Sequence, residues 1–518
     1  MNNLSSVEVS IASARKLAAT DGFAFPWKPD QGDGTYRNPI LYADYSDPDV
    51  IRVGDDFYLV SSSFNCTPGL PILHSKDLVN WRIINHAVKN LPHARYADVQ
   101  PGCGVWAPSI RFHAGKFWIF FPMPDEGIYV TTATDPSRKW SDPHLLQEGK
   151  GLIDPCPLWD EDGKAYLVHA YANSRAGIRH MLRVRPMAPD GSRLLGEGQI
   201  VFHDPKKHPT LEGPKFLKRD GWYYILAPAG GVETGWQLAL RSRNIYGPYE
   251  DKIVLAQGRS KINGPHQGAF IDTANGNWWF MHFQDADVYG RIVHLQPVHW
   301  KDGWPMAGIN SEPVEQNAKP FAGVNGDSAA PQTSDEFDSP KLGLQWQWHA
   351  NHRDDWWSLD AGGGRLRLFP QFFKQDSLTL LPNALLQKFP ARSFSVNTQV
   401  EFVPKDAEET AGLIVAGRSS ATLGFEKSGS ATQLVLRING VIKFTRDNVP
   451  NTIKLRVVVD DGGLCVFSFG SGGDFVTIPQ TFTAQKGVWI GAKVGLYSQK
   501  RLEHAKSGHV DFSYFRFA

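Results

Sequence analysis

A short polar turn followed by an aromatic-rich apolar run recurs five times: GDDFYLV (54–60), AGKFWIFF (114–121), EDGKAYLV (161–168), RDGWYYIL (219–226) and NGNWWFMHF (275–283). Runs of this length, opened by Gly or Asp and dense in aromatic and β-branched residues, predict strands that follow tight turns. With Tyr58, Trp118, Tyr166, Tyr223 and Trp279 taken as equivalent, successive repeats are 60, 48, 57 and 56 residues apart. Repeats of that size predict propeller blades, because a single small sheet cannot bury both of its faces without its neighbours. Five repeats predict five blades. Further along, RLRLFP, FSVNTQVEFV, TQLVLRI, TIKLRVVV, LCVFSFG and HVDFSYFRF alternate apolar and polar positions between turn signals, the pattern of a β-sandwich. Helical periodicity is weak throughout, so the fold class is all-β: a five-bladed β-propeller followed by a β-sandwich.

The boundaries follow from composition. Residues 1–34 form a polar leader ending in FAFPWKPDQGDG, expected to strap over the first domain. Residues 35–310 hold the repeats, and 335–518 the sandwich. Between them, 311–334 belong to a stretch rich in Gly, Pro, Ala, Ser and Asn without periodic apolar spacing, which predicts a linker.

A second feature shares the period. Asp47, Trp106, Asp154, Glu212 and His266 lie 11, 12, 12, 11 and 13 residues before the five aromatic markers, each in or beside a proline motif (DP, WAP, DP, EGP, PH). The first strand of each blade lines the central channel, so residues far apart in the chain converge there. Proline suits the start of such a strand, where no ladder donor is lost.

Charge narrows the ligand. Lys and Arg number 54 and Asp and Glu 53, a net charge of +1, so no global field attracts nucleic acid or an anionic membrane. A neutral ligand is expected. The 17 tryptophans suit sugar rings, whose C–H faces pack on aromatic planes, although most will serve strands and cores. Cys66, Cys103, Cys156 and Cys465 have no metal-ligand or CxxC spacing and are expected as free thiols. No run approaches the roughly 20 apolar residues of a membrane span. The first residues lack a basic segment leading into an apolar one, which leaves a cytoplasmic protein, or a periplasmic or secreted one whose signal has been removed.

Two carboxylic acids across a glycosidic bond can hydrolyse it, one protonating the leaving oxygen and the other activating water or attacking the anomeric carbon. A third nearby raises the acid's pKa by repulsion and orients it. Asp47, Asp154 and Glu212 supply three. Each alone reads equally well as a turn residue; their common register is what separates them from turns. Asp49 competes with Asp47, being two residues along the same strand face, but it lies past the proline and outside the shared offset.

The stretches RNPILYADYSDPDVIRVGDDFYLVSSSF (37–64), HSKDLVNW (74–81), GVWAPSIRF (104–112), LIDPCPLWDEDGKAYLV (152–168), TLEGPKFLKRDGWYYIL (210–226) and GPHQGAF (264–270) together resemble glycoside hydrolase family 43. DEFDSPKLGLQWQW (335–348) extends the resemblance into the second domain, to members with a concanavalin-like jelly roll that act as β-xylosidases and α-L-arabinofuranosidases. It implies an exo-acting, inverting enzyme that frees a terminal pentose from hemicellulose oligosaccharides. Asp47 would be the general base, Glu212 the general acid and Asp154 its modulator, with acid and base about 6.5–9.5 Å apart. It further implies Trp106 and Phe64 as sugar-packing walls, and Arg291 as a contact to the terminal sugar's hydroxyls. His266, which also points to the axis, would contact substrate or an ion beneath it. No cofactor is required. A calcium ion is a candidate at His266, and a structural one between Asp335 and Asp511. Two other readings stand beside this one. A non-catalytic sugar-binding propeller would be expected to lack one of the three acids. A retaining enzyme of the invertase type would carry Asn and Glu-Cys where this chain has Ser46 and Glu212-Gly213. Xylose and arabinose are not distinguished, nor is an oligomeric state.

Overall fold

The computed structural model describes residues 26–321, 329–359, 364–504 and 506–518. Five four-stranded antiparallel sheets occupy 49–88, 109–148, 152–203, 215–256 and 266–307, each with its strands in chain order. The chain is all-β, a five-bladed propeller followed by a sandwich. The tight turns of the repeats join the first and second strand of each blade, as in Asp49–Val53 with Asp56–Val60, where Val53 pairs with Asp56. The hydrophobic clusters lie between blades. Val60 and Ile72 of blade one meet Ile110 and Ile119 of blade two. Phe120 and Val130 then meet Leu167 and Met187, and Val168 and Val184 meet Phe216 and Ile225. Each sheet thus becomes stable only when sandwiched, at roughly 1.5–3 kcal/mol per large side chain buried.

The ring closes without a shared strand. Leu59 and Leu73 of blade one pack on Ala269, Met281 and Leu295 of blade five. Asn38 Nδ2 donates to the Leu295 and Val314 carbonyls at 2.9 and 2.8 Å, and Leu295 N donates to Asn38 Oδ1 at 2.8 Å. Outside the ring, Thr35–Arg37 pairs antiparallel with Gln316–Ala318, so the segment following the propeller carries a strand of its own. Of the expected strap, residues 1–25 lie outside the described residues, as do 322–328 of the expected linker. Trp27 is described: its ring lies 4.9 Å from Tyr42 and its Nε1 donates to the Pro39 carbonyl at 2.8 Å.

Residues beyond 334 form two facing sheets of eight and seven strands around one apolar core. That core is continuous with the propeller, for it takes in Tyr42, Val288, Tyr289 and Ile292. Backbone bonds stitch the seam: Thr67 N donates to Trp348 O at 3.0 Å, Trp348 N to Thr67 O at 2.6 Å, and Ala492 N to Val288 O at 2.8 Å. No helix among the described residues is long and apolar enough to cross a membrane.

Candidate active site

The recurring offset has a backbone cause. Asp47, Asp154, Gly213 and Gln267 have φ of 53°, 57°, 60° and 38°, in the left-handed region, at or next to four of the five addresses. In blades three and five the pairing slips at this point, between Ile153 and Cys156 and between His266 and Gly268. A slip of this kind re-aims a side chain out of the sheet's alternation, and here it turns polar groups toward the axis. At 213 only glycine serves, because a Cβ there would lie 2.9 Å from Gln267 and Pro228 atoms in addition to the positive φ. The residues converge on a cavity of about 410 Å³ lined by Asp47, Phe64, Trp106, Asp154, Glu212 and Arg291 among others.

Asp47 is 4% exposed and accepts three hydrogen bonds. Its Oδ2 accepts from Ser46 Oγ at 2.7 Å and Ser62 Oγ at 2.6 Å, and its Oδ1 from Arg291 NH1 at 2.6 Å. Arg291 opens the third strand of blade five and is fixed in turn: its backbone N donates to Asp44 Oδ1 at 2.9 Å, and its guanidinium lies 4.7 Å from the Phe283 ring centroid.

Asp154 has a different setting. It is 3% exposed and accepts from Gly213 N at 2.8 Å. Burial, then the neighbouring charge of Glu212 and the more distant one of Asp47, push its carboxyl up to about 8 against the opposing pull of Gly213 N–H and Lys215. Glu212 keeps 26% of its side chain exposed and meets His266 Nε2 at 3.1 Å. His266 is itself fully buried and does not line the cavity; its one contact toward the site is with Glu212. Asp49 lies beneath, wholly buried, its Oδ2 accepting from Arg111 NH1 at 2.7 Å and Ile110 N at 2.8 Å, with Lys215 Nζ at 3.9 Å. It belongs to an ion-pair layer under the floor and does not line the cavity.

Trp106 and Phe64 form one wall with ring centroids 6.2 Å apart. Sequence reasoning missed the third member. Trp489, from a sandwich loop, lies 6.3 Å from Trp106 in an edge arrangement and 5.8 Å from the Arg291 guanidinium. It is 48% exposed with φ of 65°. Tyr171, Asn173, Arg179 and Thr210 complete the mouth and were likewise not singled out. No repeat signal marks them; for Trp489 an aromatic between glycines in KGVWIGAK is the one local sign.

The expected ion sites fare differently. His266 Nδ1 is buried without a hydrogen-bond partner, so it offers a single donor nitrogen. Calcium takes oxygen ligands, and this nitrogen fits it only through bound water. The shared calcium cage of Asp335 and Asp511 is corrected. Asp335 bridges Phe515 across the sheet while Asp511 pairs with Arg367 and Glu401, about 13 Å further along the same strand at ~3.3 Å per residue. Asp511 already accepts a two-pronged bond from Arg367 at 2.7 Å on each oxygen, and Asp335 accepts from Trp346 Nε1 at 2.9 Å. No group of three His, Cys, Asp or Glu among the described residues is arranged to hold a metal.

Comparison with known proteins agrees with the geometry. The model of glycosyl hydrolases family 43 matches residues 36–305, and that of the β-xylosidase C-terminal concanavalin A-like domain matches 334–518. A putative β-xylosidase of Xylanibacter ruminicola is 40% identical over 90% of this chain and 86% of its own length. A β-xylosidase of Formosa agariphila is 33% identical over 94% and 91%. A non-reducing end α-L-arabinofuranosidase of Bacteroides ovatus is 32% identical over 74% and 73%. Among solved structures, a family 43 protein of Bacillus licheniformis superposes with a TM-score of 0.81 at 25% identity, covering 93% of this chain and 99% of that one. With the family model spanning the whole propeller and the second model the whole sandwich, the chain belongs to glycoside hydrolase family 43.

Proposed function

We propose that this enzyme removes a terminal pentose, β-D-xylose or α-L-arabinofuranose, from hemicellulose oligosaccharides with inversion at the anomeric carbon. The observation that carries the reading is the unequal ligation of the carboxylates around one cavity. Asp47 accepts from a guanidinium and two hydroxyls, the environment of an acceptor that takes a proton from water. On the opposite side, Asp154 and Glu212 pair with no lysine or arginine among the described residues, Glu212 meeting only His266 Nε2 at 3.1 Å, and repulsion keeps a proton on the pair. Glu212, the exposed member, presents that proton to the leaving oxygen, while Asp154 holds it in reserve and orients Glu212 through Gly213 N–H. The water enters from the Asp47 side as the bond to the leaving group breaks, so the anomeric centre inverts. The transfers run through these carboxylates alone.

Exo action is supported by the shape. The cavity is at the small end of ligand sites, and Trp489 from the second domain walls one side of it. The names of the relatives, xylosidase and arabinofuranosidase, support the choice of a pentose. Proton NMR of the first-formed sugar from nitrophenyl β-D-xylopyranoside and nitrophenyl α-L-arabinofuranoside tests the proposal. Release of the α-anomer from the xyloside is expected; release of the β-anomer overturns the role given to Asp47.

A further inference from the structure

Behind the Trp489 loop lies a second cavity of about 200 Å³, between the propeller and the sandwich. Its walls are Asn65, Val99, Pro101 and Gly102 on one side, and on the other Gly487, Val488, Ile490 and the basic residues His349, Arg418 and Lys493. No acid lines it. Lys493 is 4% exposed and lines the cavity, and its side chain makes no hydrogen bond or ion pair among the described residues. Its cross-strand partner is Lys388, a like charge directly opposite, which destabilises a sheet. Burial, and then the Lys493 ammonium, push Lys388 down to about 7 and His349 down to about 4. The Nδ1 of His349 is buried with no partner. Arg418, exposed at the rim, has no acid within ion-pair distance among the described residues. Asp44, whose charge acts on Lys388, is spent on the backbone N–H groups of Arg291 and Gly491 at 2.9 Å each.

Cations that gather in a cleft attract a counter-charge, and the acid-free lining here supplies none. We propose that this cleft is a binding site for a small inorganic oxyanion of phosphate size, held by Lys493 and closed at its mouth by Arg418. The anion compensates the buried cation and clamps two segments that meet there: a Cβ on Gly102 would lie 2.6 Å from Val488 Cγ1, so the walls already touch. Because the Gly102 carbonyl accepts from Trp106 Nε1 at 3.1 Å and Trp489 follows Val488, the clamp braces the aromatic wall of the neighbouring cavity from behind.

Isothermal titration with inorganic phosphate, at fixed pH and with ionic strength held by chloride, tests this on the full chain. One saturable site is expected in the wild type. Lys493→Met should bind at least about ten-fold more weakly, a charge-assisted bond being worth ~1.5–3 kcal/mol, and Arg418→Ala about two- to five-fold more weakly. In phosphate-free buffer Lys493→Met should melt higher than the wild type, because the like charge opposite Lys388 has been removed. Absence of saturable binding to the wild type, or undiminished affinity in folded Lys493→Met, overturns the proposal. Should Lys493→Met not fold, undiminished affinity in Arg418→Ala overturns it.

Discussion

The two sides of the active-site cavity are built from the same parts and differ in electrostatics. Asp47 and Asp154 are both aspartates before a proline, both nearly buried and both at a left-handed backbone position. Asp47 is given a guanidinium and two hydroxyls; Asp154 is given one backbone N–H and the charge of Glu212. Depth and backbone geometry therefore do not decide what a carboxylate does. Its partners do.

The sharpest way to break this comparison is to remove one acid from each side. Asp47→Ala is expected to lower kcat by about 10²–10⁴ on natural oligosaccharides and nitrophenyl glycosides alike, since both need water activated. Glu212→Ala should lose as much on oligosaccharides and far less on nitrophenyl substrates, whose leaving group departs with little protonation. Equal losses on both substrates in the Glu212 variant would place the proton donor elsewhere. Next in size, Arg291→Met strips Asp47 of its cation and should cost about 3–5 kcal/mol of stability by leaving an uncompensated buried charge, measured by denaturant unfolding. Arg291→Lys should recover part of that loss.

Asp154→Asn probes the other side through pH. In the folded protein this carboxyl titrates at about 8, against about 3.9 when unfolded. The native state thus holds the extra proton in between, and the group's contribution to stability is full below pH ~4 and is lost as pH rises toward 8. Calorimetry should show the wild-type Tm falling across that window more steeply than that of the variant. The alkaline limb of kcat/KM should also move to lower pH in Asp154→Asn, because the repulsion that keeps a proton on the pair is gone. A limb that stays in place leaves Asp154 a positioning role only. The smallest effect is expected from Trp489→Ala, a several-fold rise in KM with kcat nearly unchanged, from loss of about 1 kcal/mol of aromatic packing.

The period carried most of what could be read in advance. Five strand-turn repeats gave the blades, and the common offset led to Asp47, Trp106, Asp154 and Glu212, because four of the five blades repeat one backbone device at that address. Trp489 obeys no such period; its place depends on how the sandwich docks, through Tyr42, Tyr289 and Trp348, which alternation within strands does not encode. The same limit explains Asp335 and Asp511. The family resemblance suggested two acids near the ends of one domain, but the strand register that keeps them apart, and the Arg367 that consumes Asp511, are set by long-range pairing. His266 does not line the cavity, and its contact with Glu212 follows from the fold and not from the period.

The clip between Thr35–Arg37 and Gln316–Ala318 also orders events during synthesis. Asn38 finds its partners Leu295 and Val314 only after more than half the chain has been made. At translation rates of ~5–20 residues per second, the first blade is complete about 12–46 s before the strand that closes the clip. Through that interval Leu59 and Leu73 have no blade-five surface to cover them. The nascent ring is a staircase of blades, each able to cover only the one before it, and the first must rely on chaperones or on its own solubility until the circle is complete.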